Sequence, residues 1–388
     1  MKTALKVVEN VFNKQELRLW SDEAGEESHS LHYAISYPES IKPEAVRFFV
    51  ERFSQRGEVV LDPFCASGAT ALEANMLGRV AVLSDANPFA IRIAQAKASA
   101  TDITDVTLRL QQINMRRPVD VKAFDQNFSP FFDVDTFREV VNLKSFLHGD
   151  SDRTARFIEL IACGLLHGHT AGYFSVYSFP HLSLSPQEQH ELNLKRGQVP
   201  DYRSVIPRIL RKTAAVLRDG IPSAMRQSEI RNQYLVSDAR DLSRLASDSI
   251  NLVVTAPPLP NFRDPTRDMW LRLWFMGLKA DSLPGSAFAH NNLQSWLDFM
   301  NETLLELSRV TRRGGRIVLD LAEAQFNDTK VCLAESVAAM VDKDLCRFLE
   351  AEALLIHKGR SVALKHKINE RSDARSKKNS RVLVLRRR

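Results

Sequence analysis

No apolar run in this 388-residue sequence approaches the ~20 residues needed to cross a bilayer as a helix, which argues against a membrane protein. The opening residues, MKTALKVVENVFNKQ, have no long apolar core and carry acids, so they read as an amphipathic lead-in rather than a secretion signal. Cysteine is scarce and scattered: Cys65, Cys163, Cys332 and Cys346 form no CxxC pair and no disulfide-like framework. A reducing, cytoplasmic setting fits that usage. Internal repeats and long low-complexity segments are missing as well. Neither sign of charge dominates; a formal net charge of +6 suits a polyanionic partner without establishing one.

What is present divides into three regions, 1–100, 101–228 and 229–388. In the first, Pro43 opens a helical run, EAVRFFVERFSQ, closed by Gly57. Glu58 to Asp62 reads as a short buried strand, and a small-residue turn then leads into the helical TALEANMLG. A second strand runs from Val80 to Ser84 and ends at Asp85, after which Asn87-Pro88 starts the helix FAIRIAQAKAS. Strand–turn–helix–strand–helix is the beginning of a parallel doubly wound sheet.

The middle region reads as mostly helical and lacks a rhythm of buried strands, so we treat it as an inserted lobe. The third returns to α/β, with strands at Tyr234–Val236, Ile250–Thr255, Arg316–Asp320, 351–357 and Arg381–Leu385, and helices at SWLDFMNETLLELSRV and near 329–345. That makes seven strands. The last two are joined by a basic loop and are expected to pair antiparallel.

Chemistry concentrates at the strand ends. In Val59 to Thr70, a hydrophobic strand ends in Asp62 and the small-residue turn Cys65-Ala66-Ser67-Gly68 opens a helix. Such a turn lets backbone approach a ligand closely, and its amides suit a carboxylate. Asp62 suits an ammonium group, the other charged end of an amino-acid moiety. Asp85, ending the next strand, is placed to accept from ribose hydroxyls.

The stretch DPFCASGATALEANMLGR, followed by VLSDANPFA, resembles the cofactor motifs of the N4-cytosine/N6-adenine DNA methyltransferases. Tyr37-Pro38 and Lys42 to Val46 resemble what precedes them in that family. The resemblance implies a Rossmann-like, mostly parallel methyltransferase sheet with an antiparallel last strand, and S-adenosylmethionine as cofactor. It implies cofactor contacts at Tyr37, Asp62, Phe64, Cys65, Ser67, Gly68, Asp85, Ala86 and Asn87. It also implies contacts at Asp238 and Ala239, in an acidic turn that faces the adenine.

Asn251 to Leu259 resembles the family's catalytic strand and turn, in which a polar residue precedes Pro-Pro and an aromatic residue follows. An exocyclic amine is a poor nucleophile because its lone pair is conjugated with the ring. Acceptors around the NH2 help it attack, and the aromatic ring stacks on the flipped base. The implied catalytic residues are Thr255, Ala256, Pro257, Pro258 and Leu259. Two of them depart from the pattern: Ala256 stands where the polar acceptor belongs and Leu259 where the aromatic ring belongs. Ala66 likewise replaces the usual first glycine of the cofactor turn.

The resemblance implies methyl transfer to cytosine N4 or adenine N6 in DNA. The two departures equally suit a silent relative that binds nucleic acid or serves in assembly. RNA methylation is a further alternative, since RNA guanine-N2 enzymes share a similar Pro-Pro strand end. By its place between the motifs, 101–228 corresponds to the family's target-recognition region, with Arg153, Arg156, Tyr173, Tyr177, Lys195, Arg196, Tyr202 and Arg203 as its basic and aromatic residues; a solvated helical face is the competing reading.

Cys163, His167, His169 and His181 match no common zinc spacing and read as local packing rather than a metal site. After Pro258, a run containing Arg263, Asp264, Arg267, Asp268, Arg272, Trp270 and Trp274 reads either as a loop closing over a flipped base or as an amphipathic helix packing its tryptophans. Lys365 to Arg381 and the terminal Arg386 to Arg388 are basic enough to meet phosphates.

Overall fold

Short runs of β-branched and apolar residues, each stopped by an acid or a proline, become the parallel centre of one sheet. The computed structural model describes residues 15–17, 28–37, 40–122, 124–260, 268–279, 290, 292–326, 329–357 and 380–388. β2 (Val59–Asp62), β3 (Val80–Asp85), β4 (Gln233–Val236), β5 (Ile250–Thr255) and β6 (Thr311–Leu321) pair in parallel. β9 (Leu349–His357) and β10 (Ser380–Arg387) complete the seven expected strands, and β10 runs antiparallel to both of its neighbours, β6 and β9. An eighth, three-residue strand, β1 (Gln15–Leu17), lies parallel to β9 at the edge. The strand order is β1-β9-β10-β6-β5-β2-β3-β4. The sheet is Rossmann-like and mostly parallel, with its last strand reversed, as expected.

Two boundaries differ from the sequence reading. β6 begins at Thr311, before Gly314-Gly315, because the register against β5 jumps from Ile250↔Thr311 to Leu252↔Arg316. The glycines therefore form a bulge, with Gly314 at φ +76°, rather than the turn that starts the strand. The helix expected near 329–345 begins only at Leu333, because Thr329–Cys332 pairs with Glu323–Phe326 in a separate hairpin, β8 with β7.

Side-chain alternation divides the sheet's two faces. Leu61, Val253, Ile317 and Leu383 pack on one side with α11 (Leu293–Val310) and α12 (Leu333–Met340). Val60, Leu252, Val254 and Val384 pack on the other with α1 (Pro43–Phe53) and α3 (Pro88–Ala98). Between β3 and β4, which are neighbours in the sheet, the chain inserts a helical lobe. Its members include α4 (Ile103–Leu110), α5 (Val134–Leu147), α6 (Arg153–Leu165), α7 (Pro186–Arg196), α8 (Val205–Val216) and α9 (Ser223–Glu229).

The lobe shares its core with the α/β part. Leu72, Phe89 and Ile93 sit in one cluster with Phe131, Phe137, Ile158 and Ile161, joined by Leu271 and Phe275 of α10 (Trp270–Met276). Among the described residues no helix is long and apolar enough to cross a membrane.

Candidate functional site

Parallel pairing of β2 with β5 brings the ends of two strands, 193 residues apart in sequence, to the same carboxyl edge. There Thr255 Oγ1 donates to Asp62 Oδ1 at 2.6 Å, and the Phe64 amide donates to the same oxygen at 3.2 Å. Asp62 is fully buried. Burial pushes its carboxyl up to about 6, although the hydrogen bonds from Thr255, Thr70 and Phe64 oppose that rise.

The turn after Asp62 is stitched to β3. The Cys65 amide donates to the Ser84 carbonyl at 3.1 Å and the Ala66 amide to Asp85 Oδ2 at 3.0 Å. Asp85 Oδ1 accepts from the Asn87 amide at 2.9 Å. Burial pushes Asp85 up to about 6 as well, and the nearby charge of Asp62 adds to the rise. Ala66 carries φ +44°, the left-handed conformation that the family's usual glycine adopts freely. Gly68 caps α2 (Ala69–Met76) at φ +77°, and a Cβ there would lie 2.6 Å from Ala94 Cβ. Glycine at 68 is thus set by helix packing as well as by the turn.

Ser67 Oγ accepts from Ser40 Oγ at 2.8 Å. Tyr37 stacks on Phe89, with ring centroids 6.3 Å apart; burial and the charge of Asp85 hold its phenol well above its ordinary value. Asn87 caps α3 through its Oδ1, while its side-chain amide lies against the Tyr37 phenol. Ala86, between Asp85 and Asn87, is partly exposed at this rim.

On the next strand end, Asp238 is gripped by Arg240, whose Nε reaches Oδ1 at 3.0 Å and Nη2 reaches Oδ2 at 2.9 Å. Burial raises the Asp238 carboxyl, but Arg240 outweighs burial and leaves it below its ordinary value. Ala239 beside it is buried. Arg240 also lies 5.5 Å over the Phe299 ring, which is 6.0 Å from Phe64.

The diproline corner follows β5 directly. Ala256 and Pro257 are buried and Pro258 and Leu259 partly so. The Ala256 methyl belongs to the core against α1 and α3, and Leu259 packs on the opposite core. Trp296, fully buried on α11, donates its indole N–H to the Pro258 carbonyl at 2.9 Å. One of that carbonyl's two lone pairs is therefore already engaged.

A family model described as DNA methylase matches residues 2–96, the part that carries Asp62, its turn and Asp85. Over those residues the chain is similar to the N6/N4 amino-methyltransferases. Among curated proteins it is 24% identical over 273 residues to the type II methyltransferase M.BsoBI of Geobacillus stearothermophilus, covering 65% of this chain and 53% of that one. It is 26% identical over 122 residues to the type II methyltransferase M.MjaII of Methanocaldococcus jannaschii, covering 31% of this chain and 23% of that one. The chain thus spans about half the length of the first relative and about a quarter of the second.

Among solved structures, an rRNA methyltransferase from Streptomyces viridochromogenes aligns at TM-score 0.31 and 12% identity, over 80% of this chain and 94% of that one. A putative DNA modification methylase from Thermus thermophilus complexed with S-adenosyl-L-methionine aligns at TM-score 0.24 and 20% identity, over 39% and 53%. Both structural likenesses are too slight to bear on function.

Relative to the family's cofactor and base sites, the lobe's named residues divide. Arg203 is buried and spent internally on the carbonyls of Ser175 and Tyr173 and on Asp201, so it does not belong to an exposed recognition face. Arg153 pairs with Glu229, Arg156 holds the Ser151 carbonyl, and Tyr173 packs on the lobe's core. Arg196 sits 3.7 Å over Tyr177, Lys195 is exposed, and Tyr202 is exposed while donating to Glu139 at 2.6 Å.

His167 is buried between the Phe179 carbonyl and Ser183 Oγ; burial first, and then the charge of Arg272, bring its pKa down to about 3. His169 and His181 contact Tyr173 and Phe179. Trp270 and Trp274 pack against Phe128, Phe131 and Phe137, which is the amphipathic-helix reading of that run. Arg263, Asp264, Arg267, Pro38 and Lys365 to Lys378 lie outside the described residues.

Sequence reasoning missed Trp296 and used Arg272 only as a member of a charged run. Arg272 is buried, donates to the Ser36 carbonyl at 2.9 Å and the Pro180 carbonyl at 2.5 Å, and so ties α10 to the segment leading into Tyr37. Trp296 looked like any apolar position of an amphipathic helix. Only its contact with Pro258 separates it from Phe299 or Met300.

Proposed function

We propose that the chain transfers a methyl group from S-adenosylmethionine to an exocyclic amine of cytosine (N4) or adenine (N6) in DNA. The observation that carries this reading is the 2.6 Å hydrogen bond between Thr255 and Asp62, which joins the catalytic strand end to the cofactor strand end. The residues present fit the cofactor: a buried and a half-buried carboxyl on adjacent strand ends, a small-residue turn opening α2, and the Asn87 amide beside them. When bound, S-adenosylmethionine supplies a sulfonium-activated methyl group.

Asp62 holds the ammonium end, and the turn from Phe64 to Gly68 receives the carboxylate end. Asp85 accepts from the ribose hydroxyls with the acceptor capacity left after Ala66 and Asn87. Asp238 and Ala239 face the adenine. Thr255 fixes the corner against Asp62, and the Pro257 carbonyl accepts a hydrogen bond from the target amine, so that the amine's lone pair turns toward the methyl group. DNA is the partner, and the target base is extruded to reach this corner.

A second reading rests on Ala256 and Leu259, both packed into cores where the family places an acceptor and a stacking ring. In it the chain keeps the fold and the cofactor but does no chemistry. Losing one preorganised acceptor costs ~10²–10³ in rate at comparable sites. Losing a stacking ring costs ~1–3 kcal/mol per base.

The deciding experiment measures transfer of labelled methyl from S-adenosylmethionine to genomic DNA by the natural chain and by an Ala256→Ser/Leu259→Tyr variant. Slow transfer by the natural chain supports the enzyme. No transfer, with activity appearing only in the variant, supports the silent relative. If neither chain binds S-adenosylmethionine in calorimetry, both readings fall.

A further inference from the structure

Many arginines of this protein are spent on acids. Arg92, Arg109, Arg226, Arg309, Arg316 and Arg381 all make ion pairs. On helix α8 three cations are not. Val205, Ile209, Thr213 and Val216 form its buried face. Arg208, Arg211, Lys212 and Ala215 fall at i, i+3, i+4 and i+7, a single stripe beside that face, and Arg218 follows just past the helix end, where it pairs with Asp219. Among the described residues Arg208, Arg211 and Lys212 enter no ion pair; Arg208 and Lys212 reach only backbone carbonyls. After burial itself, the like charge of Arg203 pulls the Arg208 pKa down, Asp201 opposes it, and Arg211 adds to the fall. Repulsion among these cations, only partly offset by Asp201, is what an anionic partner would relieve.

The stripe also borders a cleft of about 370 Å³ lined by Ser30, Tyr33, Lys212, Ala215, Val216 and Arg218. Tyr33 is 55% exposed, unusual for so large a ring, and its carbonyl accepts from Lys212 Nζ at 2.7 Å. Ser30 fixes this turn to α8, its Oγ donating to the Val216 carbonyl at 2.7 Å and its amide to Asp219 at 2.8 Å. Four residues beyond Tyr33 comes Tyr37, within about 14 Å along even a fully extended chain. The stripe therefore flanks the segment that enters the cofactor site.

We propose that the α8 stripe of Arg208, Arg211, Lys212 and Arg218, with Tyr33 beside it, is the surface that grips the phosphate backbone of duplex DNA. This rests on the DNA reading above and supplies the positioning contacts that reading needs. The stripe runs about 15 Å along the helix direction. A duplex offers one charge per ~1.7 Å of its axis, so every cation of the stripe finds a phosphate. The contacts are sequence-independent and set register, leaving the base to the diproline corner.

The test is fluorescence anisotropy of a short labelled duplex of mixed sequence, titrated across salt concentrations, with three forms of the full chain. Arg208→Gln/Arg211→Glu is expected to bind roughly tenfold or more weakly at low salt and to lower the salt-dependence slope by about 2. Arg313→Glu, an exposed cation at the start of β6 and so at the opposite edge of the sheet, is expected to match the natural chain. All three should retain the same affinity for S-adenosylmethionine in calorimetry, which shows that the cofactor site is intact. If the natural chain binds duplex and the double variant binds equally well with the same slope, the stripe is refuted and the DNA reading stands. If the natural chain binds no duplex, the DNA reading itself fails. Tighter binding to a labelled RNA hairpin, lost in the double variant, would refute the assignment to DNA.

Discussion

At Ala66 an ordinary residue holds a conformation that glycine adopts without cost. Its φ of +44° is imposed by the turn, because its amide must reach Asp85. Holding an L-residue there costs ~1–2 kcal/mol, partly offset by the extra freedom glycine would give the unfolded chain. Ala66→Gly is therefore expected to raise stability by up to about 1 kcal/mol, read as a higher urea midpoint with an unchanged m-value. Gly68→Ala runs the other way. Its Cβ would meet Ala94 Cβ at 2.6 Å and Ala94 Cα at 2.8 Å, so the turn must shift and cofactor affinity should be lost along with stability.

The two desolvated carboxyls, Asp62 buried and Asp85 half-buried, give a pH signature. Asp62 and Asp85 titrate near about 6 in the folded chain against 3.8 ordinarily. In that window the folded chain keeps protons that the unfolded chain has released. Their stabilising contribution is thus complete below the unfolded value and is lost as pH rises through about 6. Cofactor-free protein should lose on the order of 2–3 kcal/mol per carboxyl between pH 4 and 7, and Asp62→Asn should remove its share of that fall in urea titrations. Cofactor binding has the opposite slope. If, as proposed, Asp62 holds the cofactor's ammonium, it must be ionised to do so, and affinity measured by calorimetry should drop as pH falls below about 6. Thr255→Val, which removes a donor to that carboxylate, should move the drop to higher pH.

At the scale of elements, the corner and the lobe are held by single side chains reaching across from other segments. Trp296 brings α11 to the Pro258 carbonyl, and Arg272 brings α10 to Ser36 and Pro180. Trp296→Phe keeps most of the packing but strands a carbonyl, for a loss of ~1–3 kcal/mol in unfolding free energy. Arg272→Met strands two carbonyls while removing a buried charge, so its cost should be of similar size.

Neither residue was legible beforehand as part of the site, because periodicity reports which face is apolar and not what lies opposite it. The strands of the site were legible, since β2, β3 and β5 are short apolar runs stopped by Asp62, Asp85 and the diproline. The β7–β8 hairpin was not. Its strands are four residues each, and Leu333 onward carries a helical pattern strong enough to absorb Thr329–Cys332.

At the scale of the molecule, the lobe between β3 and β4 is not a separable bead. Phe89 and Ile93 from the cofactor-side helix and Leu271 and Phe275 from beyond the catalytic corner complete its core. Each fully buried Phe or Leu contributes roughly 1.5–3 kcal/mol, so residues 101–228 expressed alone should show no cooperative unfolding transition in circular dichroism. The whole chain should melt in one step.

The sequence by itself determined the strand–turn–helix signature around Asp62 and Asp85, the diproline corner, and the two residues, Ala256 and Leu259, that depart from the family there. These are matters of residue type at short range, each carried by a short run of consecutive positions. Only the tertiary structure decided that Thr255 meets Asp62, that Pro258 is already bonded to Trp296, that Arg203 is consumed inside the lobe, and that Arg208, Arg211 and Lys212 enter no ion pair among the described residues. Each of those depends on groups far apart along the chain, and a pattern read residue by residue holds no record of which distant partner folding brings within reach.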